Sequence, residues 1–321
     1  MAKTLKWSES ALDFKEIARI HNSVLHDFLD HPGELKKNWK LRDKTGAAEK
    51  YFLFNKEERV GVIHMNQGTG KNHQNCYFEI FIIPEFQSYE NYKILYDQML
   101  RRVKEIQCNL LYPWSYLHEN YKNYIDFLKR EDFEIVMRHR EYKLNVENFD
   151  FSFFEPLLDK LRKNGIQLYD SKNKMQNFSN HYKKLEELVW NYIQDEPMPD
   201  GDFHVRKSYE RWLEKRKEFE ENSYGVEMVA VKKDEYIGST RVKVNKMSEP
   251  NRGYTESTGV LKQFRRQGIA TALKVESIKK LSSKDIKEIR TGNEINNPMY
   301  KINEKLGFEM MEQSIEFRKV I

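Results

Sequence analysis

Apolar residues recur at Ala11, Phe14, Ile17, Ile20, Val24 and Phe28, a spacing that predicts a helical face within residues 8–45. Two strand-like runs follow at 51–54 and 60–65, joined by the charged turn 55–59. Residues 67–74 read as a polar loop, and 76–83 alternate as a third strand that Pro84 stops. Tyr92, Leu95, Met99 and Val103 predict a helix over 89–106. Residues 121–128 make another helical face, and 133–144 read as one or two strands.

The plan then recurs. Residues 153–163 predict a short amphipathic helix and 166–169 a strand. Helices are expected at 181–192 and 208–220, around the polar, proline-bearing loop 194–202. Strands at 228–231 and 236–244 are joined by the charged turn 232–235. The stretch 254–280 opens as an alternating run ending in Gly259-Val260-Leu261. It passes through the basic turn Arg265-Arg266-Gln267-Gly268-Ile269-Ala270 and continues as a helix. A strand at 286–291, a helix around 298–305 and a strand near 315–320 complete the pattern.

The two halves match at a nearly constant offset. Arg59-Val60-Gly61 aligns with Tyr236-Ile237-Gly238 at 177 positions, Phe86 with Phe264 at 178, and Phe133 with Phe308 at 175. A repeat that long indicates a duplicated domain, not a solenoid. The boundary is expected near residue 150, giving domains 1–150 and 151–321.

At 321 residues the chain has room for two domains, each burying its own core. Hydrophobic residues at 39% and aromatics at 13% describe a globular chain. The net charge of +5 spreads over 55 basic and 50 acidic residues, which argues against nucleic acid but suits an anionic cofactor. Cys76 and Cys108 offer neither a disulfide framework nor metal spacing and suit a reducing compartment. The first ten residues carry no signal-peptide core, and no 18-residue apolar run exists. The expectation is a cytoplasmic protein with no membrane partner, a monomer or homodimer. His21, His26 and His31 share the first helical pattern, as metal ligands or as satisfied core and edge histidines.

A strand running through a basic, glycine-bearing turn into a helix can cradle a phosphate, because the first-turn N–H groups lack partners and the dipole favours an anion. Gly268 would let the backbone approach a pyrophosphate closely. A solvated helix start is the plainer reading. The matching N-terminal turn 84–92 has no glycine and carries Glu85 and Glu90. Charge and Cβ bulk both oppose a pyrophosphate there.

The pattern Val260, Arg265-x-x-Gly268-x-Ala270 and helix resembles the acetyl-CoA-binding segment of the GNAT-type N-acetyltransferase superfamily. Residues 291–308, ending Leu306-Gly307-Phe308, resemble that superfamily's second cofactor-contacting segment. The resemblance spans residues 225–321. It implies an α/β (α+β) fold of two tandem GNAT-like domains, each a mixed, mostly antiparallel twisted sheet flanked by helices, the first degenerate. It implies acetyl-CoA (coenzyme A) as cofactor, contacted by Gly259, Val260, Leu261, Arg265, Arg266, Gln267, Gly268, Ile269, Ala270, Thr271, Asn296 and Asn297. The pantetheine arm would lie like an added strand between two diverging strands, with the amide of Val260 or Leu261 near the thioester oxygen. The implied reaction moves an acetyl group to a primary amine of a small molecule by direct attack in a ternary complex. A protein or peptide amine as acceptor, or a non-catalytic acyl-CoA-binding module, are the other readings.

Glu256 stands four residues before Val260, where several superfamily members carry the proton-accepting glutamate; a solvent-exposed strand residue is the alternative. Alternation puts Glu256, Thr258 and Val260 on one face. Asn303 occupies the position where many members carry a tyrosine that protonates the departing thiolate. Tyr300, one helical turn earlier, is the replacement candidate or a packing residue. Asp195, Glu196 and His204, in and beside the acidic loop 195–202, are candidates for recognising a cationic amine or parts of a solvated loop.

Overall fold

The computed structural model describes residues 3–25, 27–175, 178–222 and 224–321, so His26 lies outside the described residues. Ranges in chain order are β1 Lys3–Lys6, α1 Ala11–Val24, α2 Pro32–Lys40, β2 Ala48–Asn55, β3 Glu58–Gln67, β4 Asn75–Ile82, α3 Tyr89–Glu105, β5 Leu110–Tyr116, α4 Lys122–Arg130 and β6 Glu134–Asn145. They continue with α5 Glu155–Lys163, β7 Ile166–Asp170, α6 Ser171–Lys174, α7 His181–Ile193, α8 Tyr209–Asn222, β8 Val226–Lys232 and β9 Glu235–Val244. The last are β10 Arg252–Val260, α9 Ile269–Ser282, β11 Glu288–Glu294, α10 Tyr300–Lys305 and β12 Glu309–Val320.

These elements form two compact units. Unit 1 comprises Met1–His139, Met198–Val205 and Glu312–Ile321; unit 2 comprises Arg140–Pro197 and Arg206–Met311. The division is discontinuous, where the sequence reading expected a single cut near 150.

In unit 1 the strands run β1-β2-β3-β4-β5, with the end of β12 beside β5. All these pairs are antiparallel except the parallel pair β4–β5. Its core gathers Ile17 and Ile20 of α1, Val62 and Ile63 of β3, Leu95 and Met99 of α3, and Phe317 of β12. The expected helical face at 8–45 is two helices. Ser10 caps α1 with a reciprocal bond to Asp13, and Pro32, unable to continue a preceding helix, starts α2.

Unit 2 repeats the plan as β7-β8-β9-β10-β11, closed by the end of β6. The pairs β7–β8, β8–β9 and β9–β10 are antiparallel, and β10–β11 is parallel. Helix α9 lies against β8 and β9, burying Ala272, Leu273, Val275 and Ile278. The repeat extends to register: Gly61 pairs with Ile82 in unit 1, and Gly238 with Val260 in unit 2. In both, the residue after the strand donates back, Ile83 to Val60 O and Leu261 to Ile237 O, each at 2.9 Å.

Candidate active site

The site in unit 2 is built where β10 leaves β11. Their parallel ladder pairs Arg252 with Glu288, Gly253 with Ile289 and Tyr254 with Arg290, while β10 runs on to Val260 and β11 to Glu294. Past Tyr254, the β10 edge on that side is open for an added strand. Register decides which amide faces it. Leu261 N–H is spent on Ile237 O, which makes Val260–Gly238 a wide pair of the antiparallel ladder. The Val260 N–H therefore points away from β9. Its carbonyl points the same way and accepts from Arg265 Nε at 2.9 Å. Of the two candidate oxyanion donors, Val260 has the free amide.

Gly259 permits a close approach on its other side. A Cβ there would stand 2.1 Å from the Tyr192 ring. Tyr192 is buried, and its hydroxyl meets Ser239 Oγ and Ser257 Oγ, both at 3.2 Å, so α7 is keyed onto β9 and β10.

After β10 the chain makes a short 3₁₀ turn, Lys262–Phe264, and Gly268 enters α9 at φ 84°. That left-handed backbone, with a would-be Cβ 2.6 Å from Leu157 Cδ1, requires glycine. No side chain caps α9, and its first helical bond runs from Ala272 N to Gly268 O. The amides of Ile269, Ala270 and Thr271 have no partner within the helix, and the first turn holds no acidic residue. In unit 1 the equivalent helix caps itself. Ser88 Oγ accepts from Asn91 N at 3.2 Å, Asn91 Nδ2 donates to Phe86 O at 2.8 Å, and Glu90 sits in the first turn. These features fit a pyrophosphate at α9 and oppose one at α3.

Glu256 is exposed and falls where the β9–β10 register shifts between Thr255 and Ser257. This bulge breaks the simple alternation expected of the strand. Its Oε2 lies 2.7 Å from Arg241 Nε. Thr258 turns instead to Thr240, their hydroxyls 2.7 Å apart.

The remaining candidates are held by neighbours. Asp195 pairs with Arg265 and, at 2.9 Å, with Lys262, and these cations hold its carboxyl below the usual range. Arg265 and Asp195 are thus mutually engaged. Glu196 is exposed in unit 2, whereas His204 belongs to unit 1. Asp202, in the same loop, accepts from Tyr77 OH at 2.7 Å. Asn297 Oδ1 accepts from Met299 N at 3.0 Å and Asn296 Nδ2 donates to Glu294 at 3.0 Å, so both shape the turn before α10. The Tyr300 ring lies under the Arg140 guanidinium at 4.5 Å. Asn303 is fully buried, donating to Asn293 Oδ1 at 2.6 Å. Arg266 stands at φ 63° and is exposed beside Gln267.

Sequence reading missed Arg241, Tyr192 and the bulge. Arg241 and Tyr192 carry no motif signal, and a one-residue slip shows only in paired strands. Among the described residues no group of three or more His, Cys, Asp or Glu side chains could hold a metal. No described helix is long and apolar enough to cross a membrane.

Residues 185–308 match the model of the acetyltransferase (GNAT) family. No curated protein matches the chain in sequence. A tandem GNAT protein from the clavulanic acid biosynthesis pathway superposes with a TM-score of 0.78 at 12% identity, covering 100% of this chain and 98% of its own. A GCN5-related N-acetyltransferase from Sphaerobacter thermophilus gives 0.69 at 13% identity, covering 99% and 95%. At these identities the likeness is one of fold.

Proposed function

Because residues 185–308 match the acetyltransferase (GNAT) family model and the chain shares the fold of a tandem GNAT protein, we propose that unit 2 transfers an acetyl group from acetyl-CoA to the primary amine of a small molecule, in a ternary complex. The observation that carries this reading is the uncapped start of α9 directly after the parting of β10 from β11, set against the self-capped α3.

When bound, acetyl-CoA supplies an activated acetyl group as a thioester. The amides of Ile269, Ala270 and Thr271, with Arg266, would hold its phosphates, and Gly268 would admit them. Arg265, by holding Val260 O, fixes the strand end that presents the Val260 N–H. That amide would stand as the donor for the acetyl carbonyl oxygen. Glu256, positioned by Arg241, takes the proton of the attacking amine, directly or through water. With Asn303 locked against Asn293 and Tyr300 stacked under Arg140, we assign Tyr300 to packing, and the departing thiolate would take its proton from solvent. The acidic stretch of unit 2 that carries Asp195 and Glu196 is assigned the acceptor's positive charge.

The experiment is product formation from labelled acetyl-CoA over a panel of small amines and peptides. Transfer to small amines supports the proposal. Transfer to peptides alone, or binding without transfer, overturns it.

A further inference from the structure

Unit 1 holds a polar cluster that acetyl transfer in unit 2 does not use. The β4–β5 ladder stops at Phe78–Pro113, and a cavity of about 10 Å³ opens there, room for one water-sized group. It is lined by Glu79, Phe81, Trp114, Tyr121, Tyr124 and Leu25. Tyr121 is 5% exposed, and its hydroxyl has no hydrogen-bond partner among the described residues. A carboxylate, aromatic rings and an unsatisfied hydroxyl around a water-sized space are the chemistry that recognises a small organic cation.

Glu79 ends a row across three strands. Lys50 of β2 pairs with His64 of β3, which pairs with Glu79 of β4. Lys50 Nζ lies 2.6 Å from His64 Nδ1, His64 Nε2 lies 3.1 Å from His21 Nε2, and His21 Nδ1 lies 2.5 Å from Asp30 Oδ2. An ammonium only donates and a carboxylate only accepts, so both tautomers follow: His64 carries its proton on Nε2, His21 on Nδ1. Asp30 is 31% exposed at its side chain, so the chain ends at solvent. The positions 177 further on in unit 2 are Glu227, Arg241 and Glu256; Glu227 pairs with Arg241, which reaches Glu256 in the β10 bulge, and the cation there is a permanently charged arginine. In unit 1 the cation is a lysine that can lose its proton.

We propose that this cavity binds the head of a small alkylammonium ion against Glu79, and that Lys50 releases its proton through His64, His21 and Asp30 as the ligand enters. Lys50 gives a proton to His64 Nδ1, His64 passes its Nε2 proton to His21, His21 passes its Nδ1 proton to Asp30, and Asp30 gives one to water. Glu79 faces one cation before and one after. Burial brings Lys50 down to about 7 and Glu79 up to about 7, so both groups favour the ligand above that pH. Asp30 also acts on both groups and Arg42 on Lys50, while Glu79, Glu312 and Asp27 act on Tyr121.

The test is titration of the full chain with methylammonium chloride, followed through the Trp114 indole N–H in NMR, with sodium chloride and methanol as controls. A saturable shift with methylammonium alone is expected, stronger at about pH 8.5 than at about pH 6. Glu79→Gln is expected to leave the free signal in place and weaken binding at least about tenfold; Tyr121→Phe should weaken it a few-fold. No saturable shift, an equal shift with sodium chloride, an unchanged affinity in Glu79→Gln, or tighter binding at the lower pH overturns the proposal.

Discussion

Glu256 reaches Arg241 at 2.7 Å from the point where β10 slips by one residue against β9. The bulge frees this glutamate from the ladder's alternation, and the guanidinium gives it a fixed direction. Replacing it with glutamine keeps the shape and removes the proposed base.

Glu256→Gln is therefore expected to lower turnover by about a hundredfold or more and to leave acetyl-CoA affinity nearly unchanged. The loss should shrink as pH rises, because more of the acceptor amine is then already neutral. Steady-state rates across a pH series, with calorimetric binding beside them, check this. A pH-independent drop of a few-fold would leave Glu256 a substrate-orienting role.

One acetyl-CoA per chain is expected by calorimetry. Gly268→Val should abolish binding, since its φ of 84° and its 2.6 Å approach to Leu157 both exclude a side chain. Ser88→Ala, at the cap of α3, should leave binding unchanged. Two equivalent sites would contradict the contrast between the helix starts.

Gly259→Ala should destabilise the chain by about 1–3 kcal/mol, because the new methyl meets the Tyr192 ring. Combined with Tyr192→Ala, the losses should add to less than their sum, measured by urea unfolding. Strict additivity would mean the two do not touch.

In unit 1, burial raises Glu79 from 4.5 to about 7. Between those values the folded state holds a proton that the unfolded state has lost, so this group's contribution falls as pH rises through the window. Glu79→Gln should gain stability relative to the parent from about pH 5 to about pH 7. Unfolding midpoints at both pH values test it; a constant difference rules it out.

Much of this architecture could be read from spacing alone. The offset between Gly61 and Gly238 reappears as a shared strand register, and the turn before Ile269 does lead from strand to helix. Strand β5 escaped notice because Pro113 sits inside it, and proline cannot donate to a ladder. The slip at Glu256 and the choice of Val260 over Leu261 depend on which strand lies alongside. The ties of Asp195 to Arg265 and of Asn303 to Asn293 join residues 70 and 10 positions apart, beyond any local pattern.

Residues 312–321 belong to unit 1, although every residue of unit 2 precedes them in the chain. Ile315 and Phe317 are fully buried there, and Ser314–Val320 pairs with Tyr116–Leu110. A ribosome therefore makes the first unit's opening strands early and its closing strand last. Throughout the synthesis of unit 2, β5 waits with one edge unpaired, the kind of surface on which other strands add. Of the two units, the one begun first is the one finished second.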